Sequence, residues 1–256
     1  MTDTVPSHAA PIPQVAKLSL KDLRFALTAG MADYRKAPQF GLFFSTVYVL
    51  GGILMVWLGA GTVEWTFAMT LGFPLVAPFA AVGLYEVSRR LERGGAMKWS
   101  EILGVVHSEK DRQIPWMGAI IVIYFLFWSF LAHMIFALFM GLSVMRNVST
   151  SYEVFLTANG LTMIGVELFV GAILAFMLFS LTVTSLPHLL EKEVDFVTAM
   201  LVSLQVVKQN LFVMLVWASL VAGLTFAAMV PLFLGLLVVM PVLGHATWHL
   251  YKRALI

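Results

Sequence analysis

The chain contains no cysteine, and that absence alone removes disulfides, thiolate metal ligands, iron–sulfur ligation and thiol nucleophiles from consideration. Charge is also scarce, with Asp, Glu, Lys and Arg making up 12% of 256 residues. No glycine-rich phosphate loop, HExxH pair or Ser-His-Asp arrangement interrupts the sequence, so no reaction motif points to an enzyme. A basic stripe is missing too. Arg89, Arg90 and Arg93 are interleaved with Glu86 and Glu92, and a formal net charge of +2 leaves no patch for nucleic acid. Residues 1–16 lack the positive start and apolar stretch of a cleaved signal peptide, and instead hold Pro6, Pro11 and Pro13 among small polar residues. They read as a disordered cytoplasmic tail over 1–18, followed by one domain over 19–256.

What the chain has in abundance is apolar surface: 60% hydrophobic residues and a mean hydropathy of +0.91. Six apolar runs, at 40–60, 66–85, 115–141, 161–186, 211–230 and 232–250, each approach the ~20 residues that a helix needs to cross about 30 Å of hydrocarbon. The expected fold is therefore an all-α polytopic membrane protein with six transmembrane helices. Only Val230 and Pro231 separate the last two runs, so a broken hairpin there is the way this count would fail. Threaded in this way, fifteen of the sixteen lysines and arginines fall on one side and only Arg146 on the other. Cations concentrate on the cytoplasmic side of membranes, so both termini are expected there. The outer loops, near 61–65 and 143–159, are short.

Self-comparison predicts three parallel two-span repeats, at about 20–97, 98–193 and 194–256, each opened by a short amphipathic cytoplasmic helix. From a capping-type residue to the residue opening the odd-numbered span is sixteen positions in Asp22 to Pro38, and fifteen in both Ser100 to Pro115 and Asp195 to Asn210. Pro78, Tyr85, Arg89 and Arg90 lie over Pro241, Trp248, Lys252 and Arg253 without a gap. The short helices should lie in the headgroup layer on apolar stripes, Leu23, Leu27, Met31 and Tyr34 in one and Phe196, Met200, Leu204 and Val207 in another. Trp99, Trp116 and Trp248 should sit near the inner boundary.

Few residues inside the runs carry chemistry. Glu167 is the costliest, and His133 in the preceding span is its candidate partner. Eighteen residues from Pro115 and twenty from Pro187 place the two at similar depth, roughly 27–30 Å from the cytoplasmic boundary at 1.5 Å per residue. Each also lies on a small-residue stripe, Ser129 to Ala137 and Gly171 to Ala175, that would let the helices approach. The pair reads first as structural and second as a proton or ion site. Glu86, Arg89, Arg90, His245 and His249 form a candidate polar cluster at the cytoplasmic interface. His245 and His249 share a helix face, but a metal would need a third ligand from Glu86 or His188, so no metal and no cofactor is expected. Ser219, Gly223 and Ala227 form a stripe expected to pack inside the bundle.

The stretch Ser185-Leu186-Pro187-His188-Leu189-Leu190-Glu191, the ending Gly244-His245-Ala246-Thr247-Trp248-His249-Leu250-Tyr251 and the earlier segment from Pro78 through Tyr85 to Arg90 resemble a bacterial integral membrane family called domain of unknown function 2189. The resemblance extends over almost the whole chain after the tail, with His188 and Glu191 departing from the family pattern. It implies a bacterial inner membrane protein and supplies no activity. Three readings follow. The first is a non-enzymatic accessory or scaffold subunit of a larger membrane assembly, a respiratory or photosynthetic complex being one host. The second is a small-solute or ion transporter or channel, and the third a lipid-binding or lipid-sensing protein. Expected partners are membrane lipids and a membrane protein, and not nucleic acid.

Overall fold

Apolar runs punctuated by caps and prolines become helices in the computed structural model, which describes residues 13–57, 63–141 and 155–256, without the side chains of 55, 56 and 63–76. Among the described residues there are ten α-helices: α1 (Leu20–Lys36), α2 (Pro38–Trp57), α3 (Val63–Arg93), α4 (Trp99–Ser108), α5 (Ile114–Met140), α6 (Ala158–Thr182), α7 (Ser185–Glu191), α8 (Phe196–Gln209), α9 (Leu211–Met229) and α10 (Leu236–Ala254). A 3-10 turn, Glu109–Asp111, joins α4 to α5. Arg146, the side chains of Trp65 and Pro74, residues 61–62 and most of the loop at 143–159 lie outside the described residues.

Local chemistry sets the boundaries. Asp195 caps α8 as expected, its side chain accepting from Thr198 N at 2.9 Å. In α1, by contrast, Ser19 is the cap and Asp22 is the third helical residue, reaching back to Ser19 N at 2.8 Å. Helix α4 begins at Trp99, with Lys98 ahead of it and no side-chain cap. Pro187 has no amide hydrogen to offer Val183, and the chain breaks between α6 and α7 at that point. Between α9 and α10 the chain turns through Leu232 and Phe233, both at positive φ (51° and 65°), which separates the last two apolar runs into two helices.

Helix α10 is the hub, touching α1, α2, α3, α7 and α9. Its contact with α1 is close because Gly30 lies on it: a Cβ there would stand 2.6 Å from Val242 O and Ala246 N. The buried side of α1 is Leu23, Ala26, Gly30 and Asp33, so the stripe expected from the larger apolar residues is displaced by the smaller ones. Small side chains win because they let two backbones meet. Helix α8 behaves alike, burying Ala199, Val202, Ser203, Val206 and Val207, of which only Val207 was on the expected stripe. These two helices pack on the bundle as part of its core, beyond a headgroup-layer role.

The ends of the chain are joined. Ala16 N donates to Ala254 O and Ile256 N to Gln14 O, while Asn210 receives Leu18 N on its side-chain oxygen and donates to Ala16 O. The last residues of the expected tail are thus tied to α9 and α10. Trp248 is fully buried within the bundle; Trp99 packs on Phe40 at 4.2 Å, and Trp116 is exposed.

Burial is uneven along the long helices. Helix α5 buries Ile114, Met117, Gly118 and Ile121 in its first turns and only Ile135 beyond, and α9 buries Val213, Met214 and Trp217 in its first half. The opposite halves present large apolar side chains such as Phe130, Leu138, Phe169 and Phe226 to the outside. Such surface needs a hydrocarbon solvent. Among the described residues three helical stretches are long and apolar enough to cross a membrane, Ile114–Met140, Ala158–Glu191 and Leu211–Met229. A fourth results if α1 and α2, bent by 104° at Ala37, count as one broken span. This measure finds three or four of the expected six crossings among the described residues. Helix α10 carries His245, His249, Lys252 and Arg253 in its later turns, and the first half of α3 lacks described side chains.

Candidate functional site

The charged end of the bundle is a layer of paired side chains. Glu86 continues α3 beyond the apolar run ending at Tyr85, and is 1% exposed. It pairs with Arg89 and Arg90 on the next turn, with Arg90 Nε at 2.6 Å. The two guanidiniums then reach outward: Arg89 donates to Leu190 O on α7 at 3.0 Å, and Arg90 donates to Ala96 O at 3.0 Å and pairs with Glu101 on α4. One buried carboxylate thereby positions two arginines that fasten two neighbouring helices.

His245 and His249 project from α10 as their spacing predicts, but to different partners. His245 is fully buried with Nδ1 2.8 Å from Ser88 Oγ. His249 has Nε2 2.7 Å from Asp33 Oδ2 on α1 and Nδ1 3.3 Å from Glu92 Oε1 on α3. Both ring nitrogens face carboxylate oxygens, an arrangement that only a doubly protonated ring satisfies as donor. Burial alone would raise the Asp33 carboxyl, yet hydrogen bonds from His249 and Ser88 and the nearby imidazoles hold it below the usual carboxylate range. Glu92 is lowered in the same way, against its burial, by His249, Trp248 and Lys252. His188 lies 3.2 Å from the Tyr251 hydroxyl, which donates to Glu191 at 2.7 Å, and Lys252 donates to Glu191 at 2.7 Å.

The five residues of the expected cluster fall into two adjoining groups, Glu86 with Arg89 and Arg90, and His245 and His249 with Ser88, Asp33 and Glu92. Neither Glu86 nor His188 joins the histidines as a ligand. Among the described residues no three His, Asp or Glu side chains come together as a metal site.

The intramembrane pair fares differently. His133 Nδ1 lies 2.7 Å from the carbonyl of Ser129 one turn back; the ring lies within electrostatic reach of Glu167, as the depth count expects, without a hydrogen bond or ion pair between them among the described residues. Helices α5 and α6 do pack, but through other groups: Tyr124 donates to Leu174 O at 2.6 Å, and Gly171 faces Trp128. The Ser219, Gly223 and Ala227 stripe is also turned outward, with nothing within 4 Å of a Cβ at Gly223.

Between the long helices lies a feature that the apolar runs do not predict, a chamber of about 640 Å³. Every long helix contributes to its wall: Gly51 from α2, Tyr85 from α3, Phe125 from α5, Leu178 from α6, Thr225 from α9 and Leu243 from α10. Missing side chains leave the space. A Cβ at Gly51 would meet nothing within 4 Å, while Gly52 beside it is filled by the Phe233 ring, 2.5 Å from where its Cβ would stand. Phe233, itself at positive φ in the turn before α10, lines the chamber and fills the space over Gly52. Among the described lining residues none is charged; hydroxyls of Tyr48, Tyr85, Thr182, Thr225 and Thr247 are its polar side-chain groups. The size is that of a small-molecule site and the wall is that of a greasy one.

The sequence signals that bear on these sites were faint but present: adjacent glycines in an apolar run at Gly51 and Gly52, and Asp33 on the small-residue face of α1. Residues 66–191 match the model of a family described as predicted integral membrane protein (DUF2189). The match runs from α3 through α7 and stops short of the Gly244 to Tyr251 ending, so it spans less of the chain than the resemblance suggested. No curated protein and no solved structure matches the chain.

Proposed function

We propose that this chain, which belongs through residues 66–191 to that family of predicted integral membrane proteins, is a non-catalytic membrane protein that holds one apolar molecule inside its helix bundle. The observation carrying this reading is the chamber of about 640 Å³ reached by all the long helices, with no charged side chain among its described lining residues. A polar-solute or ion pathway is less favoured, because it would need charged or hydrated groups along the axis.

The bundle is read as six crossings in three two-span units, with both termini in the cytoplasm of a bacterial inner membrane. Supporting this, a short helix followed by long ones occurs three times in chain order: α1 to α3, α4 to α6, and α8 to α10. The ionic layer also gathers cations from the segments that precede and follow the apolar runs. An accessory role in a larger assembly is the second reading. It is favoured by the outward face of α9, where Ser219, Gly223 and Ala227 leave room for a partner helix. The proposed function is tested by native mass spectrometry of the protein released from nanodiscs. A persistent mass adduct, lost when Gly51→Leu fills the chamber, is expected; a bare protein mass for both would contradict it.

A further inference from the structure

Resting on the reading of the chamber as a binding site, we infer that its occupant is an uncharged lipid whose head carries a carbonyl oxygen, with the Tyr85 hydroxyl as the donor to that oxygen. Tyr85 is 6% exposed and lines the chamber, yet its hydroxyl makes no hydrogen bond among the described residues. A buried phenol without a partner is unusual, since the tip of a tyrosine in a core ordinarily finds one. The hydroxyl is not sealed away as the buried indole nitrogens of Trp217 and Trp248 are, so the accessible surface it keeps faces the chamber that the residue lines.

Its surroundings define the complement. Nearby hydroxyls are spoken for: Thr247 donates to Leu243 O at 2.7 Å, Thr182 to Leu178 O at 2.8 Å and Tyr48 to Ala77 O at 3.2 Å. Thr225, which also lines the chamber, makes no such bond among the described residues and adds a second donor. Free donors without a cation select a neutral acceptor. A phosphate or carboxylate head would be buried without a countercharge, because the arginines beside Tyr85 are already committed to Glu86 and Glu101. The empty volume beside Gly51, lined by Phe233, suits an unbranched or isoprenoid tail.

Two lipid classes share that chemistry, quinones with an isoprenoid tail and diacylglycerols. The test uses the full chain in nanodiscs and measures competition by four probes: a benzoquinone bearing two isoprene units, dioctanoylglycerol, hexadecane and dioctanoylphosphatidate. A carbonyl probe should bind at least tenfold more tightly than hexadecane, whichever of the two carbonyl probes it is, and that choice identifies the source. Tyr85→Phe should reduce the affinity for that probe by about two- to tenfold, the value of one hydrogen bond, and leave hexadecane unchanged. Thr225→Val should act in the same direction. Equal binding of carbonyl probe and alkane, an unchanged carbonyl affinity in Tyr85→Phe, or tightest binding of the phosphatidate would overturn the headgroup assignment while leaving the chamber a binding site. Binding of no probe, or binding indifferent to Gly51→Leu, would instead overturn the chamber reading itself. Circular dichroism melting of each variant separates loss of a contact from loss of the fold.

Discussion

Gly30 is where the structure stakes most on a missing side chain. Replacing it with alanine puts a Cβ 2.6 Å from Val242 O and Ala246 N, both backbone atoms of α10 that cannot rotate away. Overpacking of this kind costs about 1–3 kcal/mol. Against this, alanine in place of glycine in a helix gains about 1 kcal/mol. Relief by sliding α1 would stretch the 2.7 Å contact between Asp33 and His249, three residues along α1 from Gly30, and weaken a buried pair. The net expectation is a loss of up to about 2 kcal/mol, and more where the Asp33–His249 pair is also weakened. Gly104 is the control: it lies in α4, is exposed, and a Cβ there meets nothing within 4 Å. Gly104→Ala should gain up to about 1 kcal/mol. Both variants are measured by reversible unfolding in mixed micelles with increasing SDS, together with protease cleavage ahead of α1. If Gly30→Ala proves as stable as Gly104→Ala, the close docking of α1 on α10 is wrong.

Other expectations follow from the same contacts. Asp33→Ala leaves His249 without its nearer carboxylate and should cost about 3 kcal/mol, read in the same unfolding assay. The carboxyls of Asp33 and Glu92 are both depressed on folding, so their stabilisation is fully present above the unfolded carboxylate range near pH 4 and is lost as pH falls through their lower folded values. An acid limb should therefore appear in a stability–pH profile and should shrink in Asp33→Asn; a profile identical to that of the parent protein would contradict it. A double-mutant cycle between His133 and Glu167 should give a coupling of no more than about 1 kcal/mol, since the two lie within electrostatic reach but no hydrogen bond joins them, and a larger coupling would mean a bonded pair. Leu232→Gly should raise the melting temperature, because a leucine at φ 51° carries about 1 kcal/mol of backbone strain that glycine avoids.

Much of the architecture is legible in the apolar runs, because a helix long enough to cross hydrocarbon leaves a signal about 20 residues long. The places of α5, α6 and α9 follow from it directly. The face that α1 buries does not, since a moment built on large apolar residues points at Leu27 and Met31 while close packing is governed by Ala26 and Gly30. His249 was visible as a polar residue at a helix end, but its carboxylates come from Asp33 and Glu92, remote in sequence and brought together only by tertiary contact. His133 and Glu167 were matched by depth, which brings them within electrostatic reach of each other but does not by itself fix the facing angle that a hydrogen bond needs. The chamber is a property of six helices at once, defined by atoms that are absent, so Gly51 in one run and Tyr85 at the end of another carry no visible relation.

The absence of cysteine makes the decisive measurement simple, because each introduced cysteine is the only thiol in the chain. Single cysteines at Lys17, Lys98, Lys192 and Ile256, and a fifth at Arg146, are labelled with a membrane-impermeant maleimide added to one side of sealed vesicles. Six crossings around the chamber predict that the first four react from the cytoplasmic side and Arg146→Cys only from the other. Labelling of Ile256→Cys from the side that labels Arg146→Cys would mean an odd number of crossings, and the bundle proposed to enclose the chamber would not exist.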